Sequence, residues 1–130
     1  MATPENSFIS GVHGYMQCYR MKNHNEYVSG IADCWYSGDA RDLWVEYKFI
    51  VLPKRDTTVI VPDLSKLQLE WLTARRKQGR HILVVVGCKE GGCIYHETDS
   101  WTGGKTTANF RKEILSRRNL AAYLDSFVNQ

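Results

Sequence analysis

Tyr27-Val28-Ser29-Gly30-Ile31-Ala32-Asp33-Cys34-Trp35-Tyr36, then Ser37-Gly38-Asp39, then Leu43-Trp44-Val45-Glu46-Tyr47-Lys48-Phe49-Ile50-Val51, is the stretch on which the fold turns. Both flanks are rich in β-branched and aromatic residues, which suit the pleated, half-buried surface of a strand. Ser-Gly-Asp between them is turn chemistry. The pattern predicts a β-hairpin. Folded about Asp39-Ala40, it sets Tyr36 opposite Leu43 and Asp33 opposite Glu46. Directly opposed residues hold their Cβ atoms about 4.5–5.5 Å apart, so two carboxylates converge. The two-residue period of a strand puts Lys48 on the face of Glu46 and Tyr47 on the other.

Like charges at that separation are relieved by a shared proton or a bound cation. Oxygen-only donors suit Mg²⁺ or Mn²⁺, with water and phosphate oxygens completing the shell. A lysine beside them can stabilise a developing anion or orient an attacking water. The competing reading is a salt-bridged hairpin in which Lys48 neutralises Glu46 and Asp33 ends a strand. Ile31, Ala32, Trp44, Val45 and Phe49 enclose the charges, and charge in apolar surroundings is costly without a purpose.

Upstream, Phe8, Val12, Tyr15, Met16 and Tyr19 recur at steps of three and four, which predicts a helix over about 7–21, weakened by Gly11 and Gly14. Downstream, Pro53 ends the hairpin's second strand and 57–61 is a short extended piece. Asp63 is positioned to cap a helix over about 64–78, which Gly79 stops. The apolar run 81–86 suits the middle of a sheet, and Gly91-Gly92 turns the chain into Cys93-Ile94-Tyr95-His96. Residues 98–109 read as a polar loop, and a final helix starting at Phe110 or Arg118 runs to Val128. The order predicts an α/β (α+β) domain, a mixed sheet flanked by helices. At 130 residues the chain has room for one domain, with its core over about 7–96 and a C-terminal loop and helix over about 97–130.

With these motifs in place the chain resembles the PD-(D/E)XK nuclease superfamily, including VRR-NUC-like and Holliday-junction-resolvase-like phage nucleases. Gly30-Ile31-Ala32-Asp33, and thirteen residues after the aspartate Glu46-Tyr47-Lys48, carry the resemblance. Ala32 stands where the family often has proline. Gln68, in Leu64-Ser65-Lys66-Leu67-Gln68-Leu69-Glu70-Trp71-Leu72, matches the family's helical glutamine, and the strand at 81–86 falls where its next core strand does. The resemblance covers about 7–96 and implies a restriction-endonuclease-like core and a divalent-metal-dependent phosphodiesterase. It implies that Asp33, Glu46 and the Tyr47 backbone carbonyl hold Mg²⁺ or Mn²⁺, that Lys48 positions water or steadies the transition state, and that Gln68 belongs to the site. The family's further acidic residue on the first helix has only Glu5 and Glu26 as candidates. His13 is an alternative ligand, or a histidine packed on a helix face. Gln68 has a plain reading too, at the edge of an apolar helix face.

Seventeen Lys and Arg against fourteen Asp and Glu give a formal charge of +3, too small to establish a polyanion partner by itself. Basic residues that could contact phosphate are Arg20, Lys22, Lys54, Arg55, Arg75, Arg76 and Lys105, and each serves equally as plain surface. Trp101-Thr102-Gly103-Gly104-Lys105 lacks the spacing of a P-loop, so no nucleotide cofactor is expected, and a mobile DNA-contacting loop fits it better. The four cysteines form no zinc or CxxC pattern, and the longest apolar run is far below the ~20 residues that span a membrane. A soluble cytoplasmic protein follows, in the host cytoplasm if phage-encoded. The expected activity is an endonuclease on DNA, duplex or branched, working as a homodimer. Leu120, Leu124 and Phe127 of the last helix face either a partner or the protein's own core, the core being the default. The alternatives are a non-catalytic nucleic-acid-binding module and a metal-independent interaction domain.

Overall fold

A computed structural model of the chain describes residues 3–23 and 30–130. Helix α1 spans Pro4–His13, with Thr3 Oγ1 accepting from the Asn6 N–H and proline at its first position, a start that needs no donor from proline. It stops at Gly14, so Tyr15, Met16 and Tyr19 lie beyond it, against the longer helix expected from periodicity. The chain instead forms strand β1, Tyr19–Lys22. The hairpin follows as β2, Cys34–Ser37, and β3, Asp42–Phe49, paired antiparallel with Tyr36 opposite Leu43 and Cys34 opposite Val45, the register expected from the turn. The expected strand residues 27–29 lie outside the described residues.

The short strand β4, Val59–Ile60, leads to helix α2, Lys66–Lys77. Its cap is Ser65, not Asp63. The Ser65 side chain accepts from the Gln68 N–H while Gln68 reaches back to the Ser65 N–H, a reciprocal arrangement that satisfies two donors at once. Strand β5, Ile82–Cys88, runs parallel to β3, and β6, Gly91–Tyr95, closes the sheet in the order β1-β2-β3-β5-β6. Because a parallel pair cannot be joined by a tight turn, α2 crosses one face between β3 and β5.

One face of the sheet packs Phe8, Ile9 and Val12 of α1 against Cys34, Tyr36, Leu43, Val45 and Tyr47. The last helix, α5, Arg117–Asn129, completes this layer with Leu120, Ala121, Leu124 and Val128, all buried in the protein's own core. The opposite face carries Leu72 of α2 with Ile82, Val84 and Val86. Residues 98–109 are not the expected loop. They form α3, Thr98–Gly103, strand β7, Lys105–Thr106, paired with β4, and the start of α4, Thr107–Glu113. The reason is Trp101, which is 1% exposed and donates its indole N–H to the Tyr95 carbonyl at 2.8 Å. Thr107 Oγ1 donates to the Thr58 carbonyl, and Phe110 is fully buried beside Tyr95. Among the described residues no helix is long and apolar enough to cross a membrane.

Replacing Trp101 with alanine empties a packed site and removes the indole donor from the Tyr95 carbonyl. A loss of about 3–5 kcal/mol in urea denaturation is expected; a loss within ~0.5 kcal/mol would return the segment to a surface loop.

Candidate active site

The alternation of β3 sends Tyr47 into the α1 and α5 layer and Glu46 and Lys48 to the α2 face. Glu46 is 1% exposed. Asp33 sits just before β2 and accepts the Tyr47 N–H at 2.8 Å through Oδ2. In an extended strand the carbonyl of a residue points to the same edge as its N–H, so the Tyr47 carbonyl emerges on Asp33's side. Gly30 lets the chain arrive there. Its φ is +88°, and a Cβ at this position would stand 2.5 Å from the Leu67 carbonyl oxygen of α2, so the backbone passes α2 where no side chain fits.

Gln68 ties the two elements together. Its Nε2 donates to Glu46 Oε2 at 3.2 Å, and its Oε1 accepts from Lys48 Nζ and from the Ser65 N–H, each at 3.0 Å. One amide thus caps α2, holds the lysine and fixes the buried glutamate. Asp33, Glu46, Lys48 and Gln68 are therefore brought to one place.

Glu46 is strongly perturbed. Burial, then the neighbouring charge of Asp33, then a hydrogen bond with Asp33 push its carboxyl from 4.5 up to about 9. Lys48 Nζ stands 3.8 Å from Oε2, beyond hydrogen-bond length, and offsets this only in part. Among the described residues Oε1 of Glu46 is buried with no hydrogen-bond partner. A buried acceptor without a donor costs free energy. A hard cation at the open oxygen answers both the repulsion and the missing partner, and the donors are all oxygens. Among the described residues no group of three His, Cys, Asp or Glu side chains is placed to hold a metal. Two carboxylates fit a Mg²⁺-like ion, which keeps several waters and takes substrate phosphate for the rest.

Glu5, in the first turn of α1, is the acidic residue whose place at the site the sequence signals poorly. Burial, then Asp33, raise its pKa, while Lys48 and Lys22 oppose the rise. The Thr3-Pro4-Glu5 start of the helix is the signal that locates it. Glu26 lies outside the described residues. His13 is not brought to the carboxylates. Its Nε2 is 2.8 Å from the Tyr36 hydroxyl, which in turn meets the Tyr47 hydroxyl at 2.6 Å, on the other face of the sheet. Burial and the charges of Arg20 and Lys22 lower its pKa to about 4, so the ring is neutral.

The basic residues divide. Lys54 and Arg55 are exposed after β3. Arg20 is exposed on β1 and donates to the Cys18 carbonyl, and Lys22 Nζ donates to Asn6 Oδ1. Arg75 lies 5.9 Å over Trp71. Arg76 donates to the Ile82 and His96 carbonyls and stacks 5.2 Å over Trp101, an internal role. Lys105 pairs with Glu113 at 2.6 Å, donates to the Ile94 carbonyl and covers Tyr95, so it is tied into the fold rather than free in a mobile loop.

The raised Glu46 pKa has a signed consequence. Above pH 7 the metal-free native state keeps a proton that the unfolded glutamate, at 4.5, has released, so stability falls as pH rises toward 9. The lowered His13 titrates below this window. In EDTA the wild type is expected to lose about 1 kcal/mol per pH unit from 7 to 8.5 in thermal melts, and Glu46→Gln to show a much shallower slope, set by the buried thiols of Cys18, Cys34 and Cys93, which burial also pushes up. An identical slope in the variant would refute the assignment.

No family model and no curated protein sequence matches the chain. Among solved structures its fold is similar to that of a Holliday junction resolvase from the archaeal hyperthermophile Archaeoglobus fulgidus. The TM-score is 0.56 over 91% of this chain and 95% of that one, at 14% sequence identity. At that identity the likeness is one of fold.

Proposed function

We propose that residues 1–130 form one nuclease domain of the PD-(D/E)XK kind, a divalent-metal-dependent endonuclease that hydrolyses phosphodiester bonds in DNA. The observation that carries this reading is the buried Glu46 carboxyl beside Asp33, with one oxygen unpartnered and Lys48 held alongside by Gln68. Nothing in a purely structural salt bridge requires that arrangement. The resolvase-like fold supports branched DNA as the substrate class.

Asp33, Glu46 and the Tyr47 carbonyl would hold Mg²⁺ or Mn²⁺. When bound, the ion supplies Lewis-acid stabilisation of the phosphate's developing charge. Lys48, at 19% side-chain exposure, presents its ammonium to the same place, where it orients an attacking water or stabilises negative charge. Gln68 keeps the lysine and the glutamate in register across α2 and β3. Asp33 is also oriented by the Tyr47 N–H, which fixes its Oδ2. A binding module that keeps the fold without cutting has no use for the intact Asp33, Glu46 and Lys48 set.

Cleavage of labelled four-way-junction, flap, single-stranded and linear DNA in Mg²⁺, Mn²⁺ or EDTA tests the reading. Cutting is expected only with metal. Asp33→Ala, Glu46→Ala and Lys48→Ala are each expected to lower it at least ~100-fold with unchanged circular dichroism. Wild-type cutting by pure Glu46→Ala, or cutting in EDTA, would overturn the mechanism; a salt-sensitive gel shift without cutting would point to the binding module.

A further inference from the structure

Four aromatic side chains run in a row on or beside the sheet face that carries Glu46. Tyr19 of β1 meets Trp35 of β2 edge-on with ring centres 5.5 Å apart. Trp35 stacks on Trp44 of β3 at 6.1 Å, with 29° between the ring planes. Trp44 meets Trp71 of α2 edge-on at 5.5 Å. Such a row is an ordinary core feature when it is covered. Here Trp35, Trp44 and Trp71 are each only partly buried, and Tyr19 is 62% exposed. On the other face the corresponding residues Tyr36 and Tyr47 are fully buried under α1 and α5. The two faces of one hairpin thus carry aromatics with opposite fates.

A cleft of about 590 Å³ opens at this row, lined by Trp35 and Trp44 together with Arg80 and His81. Its volume lies within the ~300–1,000 Å³ of small-molecule sites. Arg80 and His81 are exposed. Arg75 covers the Trp71 ring. Arg41 also borders the cleft, but its guanidinium is bound to the Phe127 and Gln130 carbonyls. Among the described residues the one carboxylate lining it, Asp42, accepts from the Ser37 hydroxyl at 2.6 Å. The cleft therefore offers flat apolar rings beside positive charge, the chemistry that holds an unpaired base and its phosphate.

Position sharpens this. Trp44 precedes Glu46 by two residues on the same face of β3, about 7 Å along the strand. A base lying on Trp35 and Trp44 belongs to a nucleotide next to the phosphate that the carboxylates would receive. We infer that the Tyr19-Trp35-Trp44 row is a stacking platform for an unpaired base flanking the scissile phosphate, with Arg80 and Arg75 on the adjoining backbone. The inference rests on the nuclease reading for its partner and deepens it, since a stacked base requires single-stranded character at the cut. A fully paired duplex buries its base faces and has none to give the platform.

The test is binding in EDTA, where no cutting is expected. Wild type is titrated with a fluorescein-labelled oligothymidylate and with the same sugar-phosphate strand lacking bases. The base-bearing strand is expected to bind about tenfold more tightly and to quench tryptophan fluorescence. Trp35→Leu is expected to bring the two affinities together without weakening the base-free strand, and exposed Tyr19→Ala, which removes no core contact, to lower the preference in part. Equal affinities in wild type, or an unchanged preference in both variants, would overturn the platform. A preference for neither strand, with Trp35→Leu converting a sedimenting dimer to a monomer, would assign the face to a second copy of the chain and overturn it equally. Base preference without any metal-dependent cleavage would remove the nuclease reading alone; cleavage without base preference would remove the platform alone.

Discussion

The parallel pairing of β3 with β5 is the constraint from which the rest follows. It aligns Glu46 with Val84 and Lys48 with Val86, and it requires a crossover between the strands. The crossover is α2, whose first turn then lies against the strand that carries Glu46 and Lys48. Gln68, third in the helix, is thereby both the partner of the Ser65 cap and the amide that reaches Glu46 and Lys48. The start of a helix and the assembly of a site are the same set of hydrogen bonds. A change that frays the first turn of α2 therefore disturbs the site, and a change in the site loosens the helix start.

The hairpin divides its labour between faces. Toward α1 and α5 it presents Cys34, Tyr36, Val45 and Tyr47, with a chain from His13 through the Tyr36 hydroxyl to the Tyr47 hydroxyl satisfying the buried polar atoms. This locks β3 from behind, in a layer dense with Phe8, Leu120 and Leu124. Toward α2 it presents charge, incompletely satisfied. Glu46 cannot relax away from Asp33, because the Tyr47 N–H holds Asp33 and Gln68 holds Glu46. A rigid support of this kind preserves an electrostatically unfavourable pair that a flexible loop would let separate.

Much of this was legible in the sequence, and for physical reasons. The hairpin register followed from a short Ser-Gly-Asp turn between two propensity-rich runs, and β5 from an apolar run that only a sheet interior accommodates. Asp33, Glu46 and Lys48 could be placed together from hairpin register and alternation, and Gln68 was joined to them through its resemblance to a known helical motif. What failed was governed by tertiary contacts. Tyr15, Met16 and Tyr19 kept helical spacing past Gly14, yet pairing with β2 drew Tyr19 into a strand. The segment 98–109 is polar in sequence, and its order comes from tertiary contacts: Trp101 on the Tyr95 carbonyl, Thr107 on the Thr58 carbonyl and the pairing of β7 with β4. Ser65 displaced Asp63 as the cap because Gln68, three residues on, completes a reciprocal pair that Asp63 lacks. His13 and Glu5 exchanged importance since α1 begins earlier than its apolar periodicity indicates, which lifts Glu5 to the carboxylates and turns His13 to Tyr36.

The central claim is that the Asp33 and Glu46 pair is a cation site built by the hairpin and α2. Calorimetric titration with Mn²⁺ at neutral pH, comparing wild type with Asp33→Asn and Glu46→Gln, tests it without reliance on any substrate. Both substitutions keep side-chain size and remove an ionisable carboxyl that a cation can hold. Saturable heat in the wild type, weakened at least ~10-fold in each variant, is the expected result, since each carboxylate would be a principal oxygen donor. Heats that are absent in the wild type, or unchanged by both substitutions, would contradict the account.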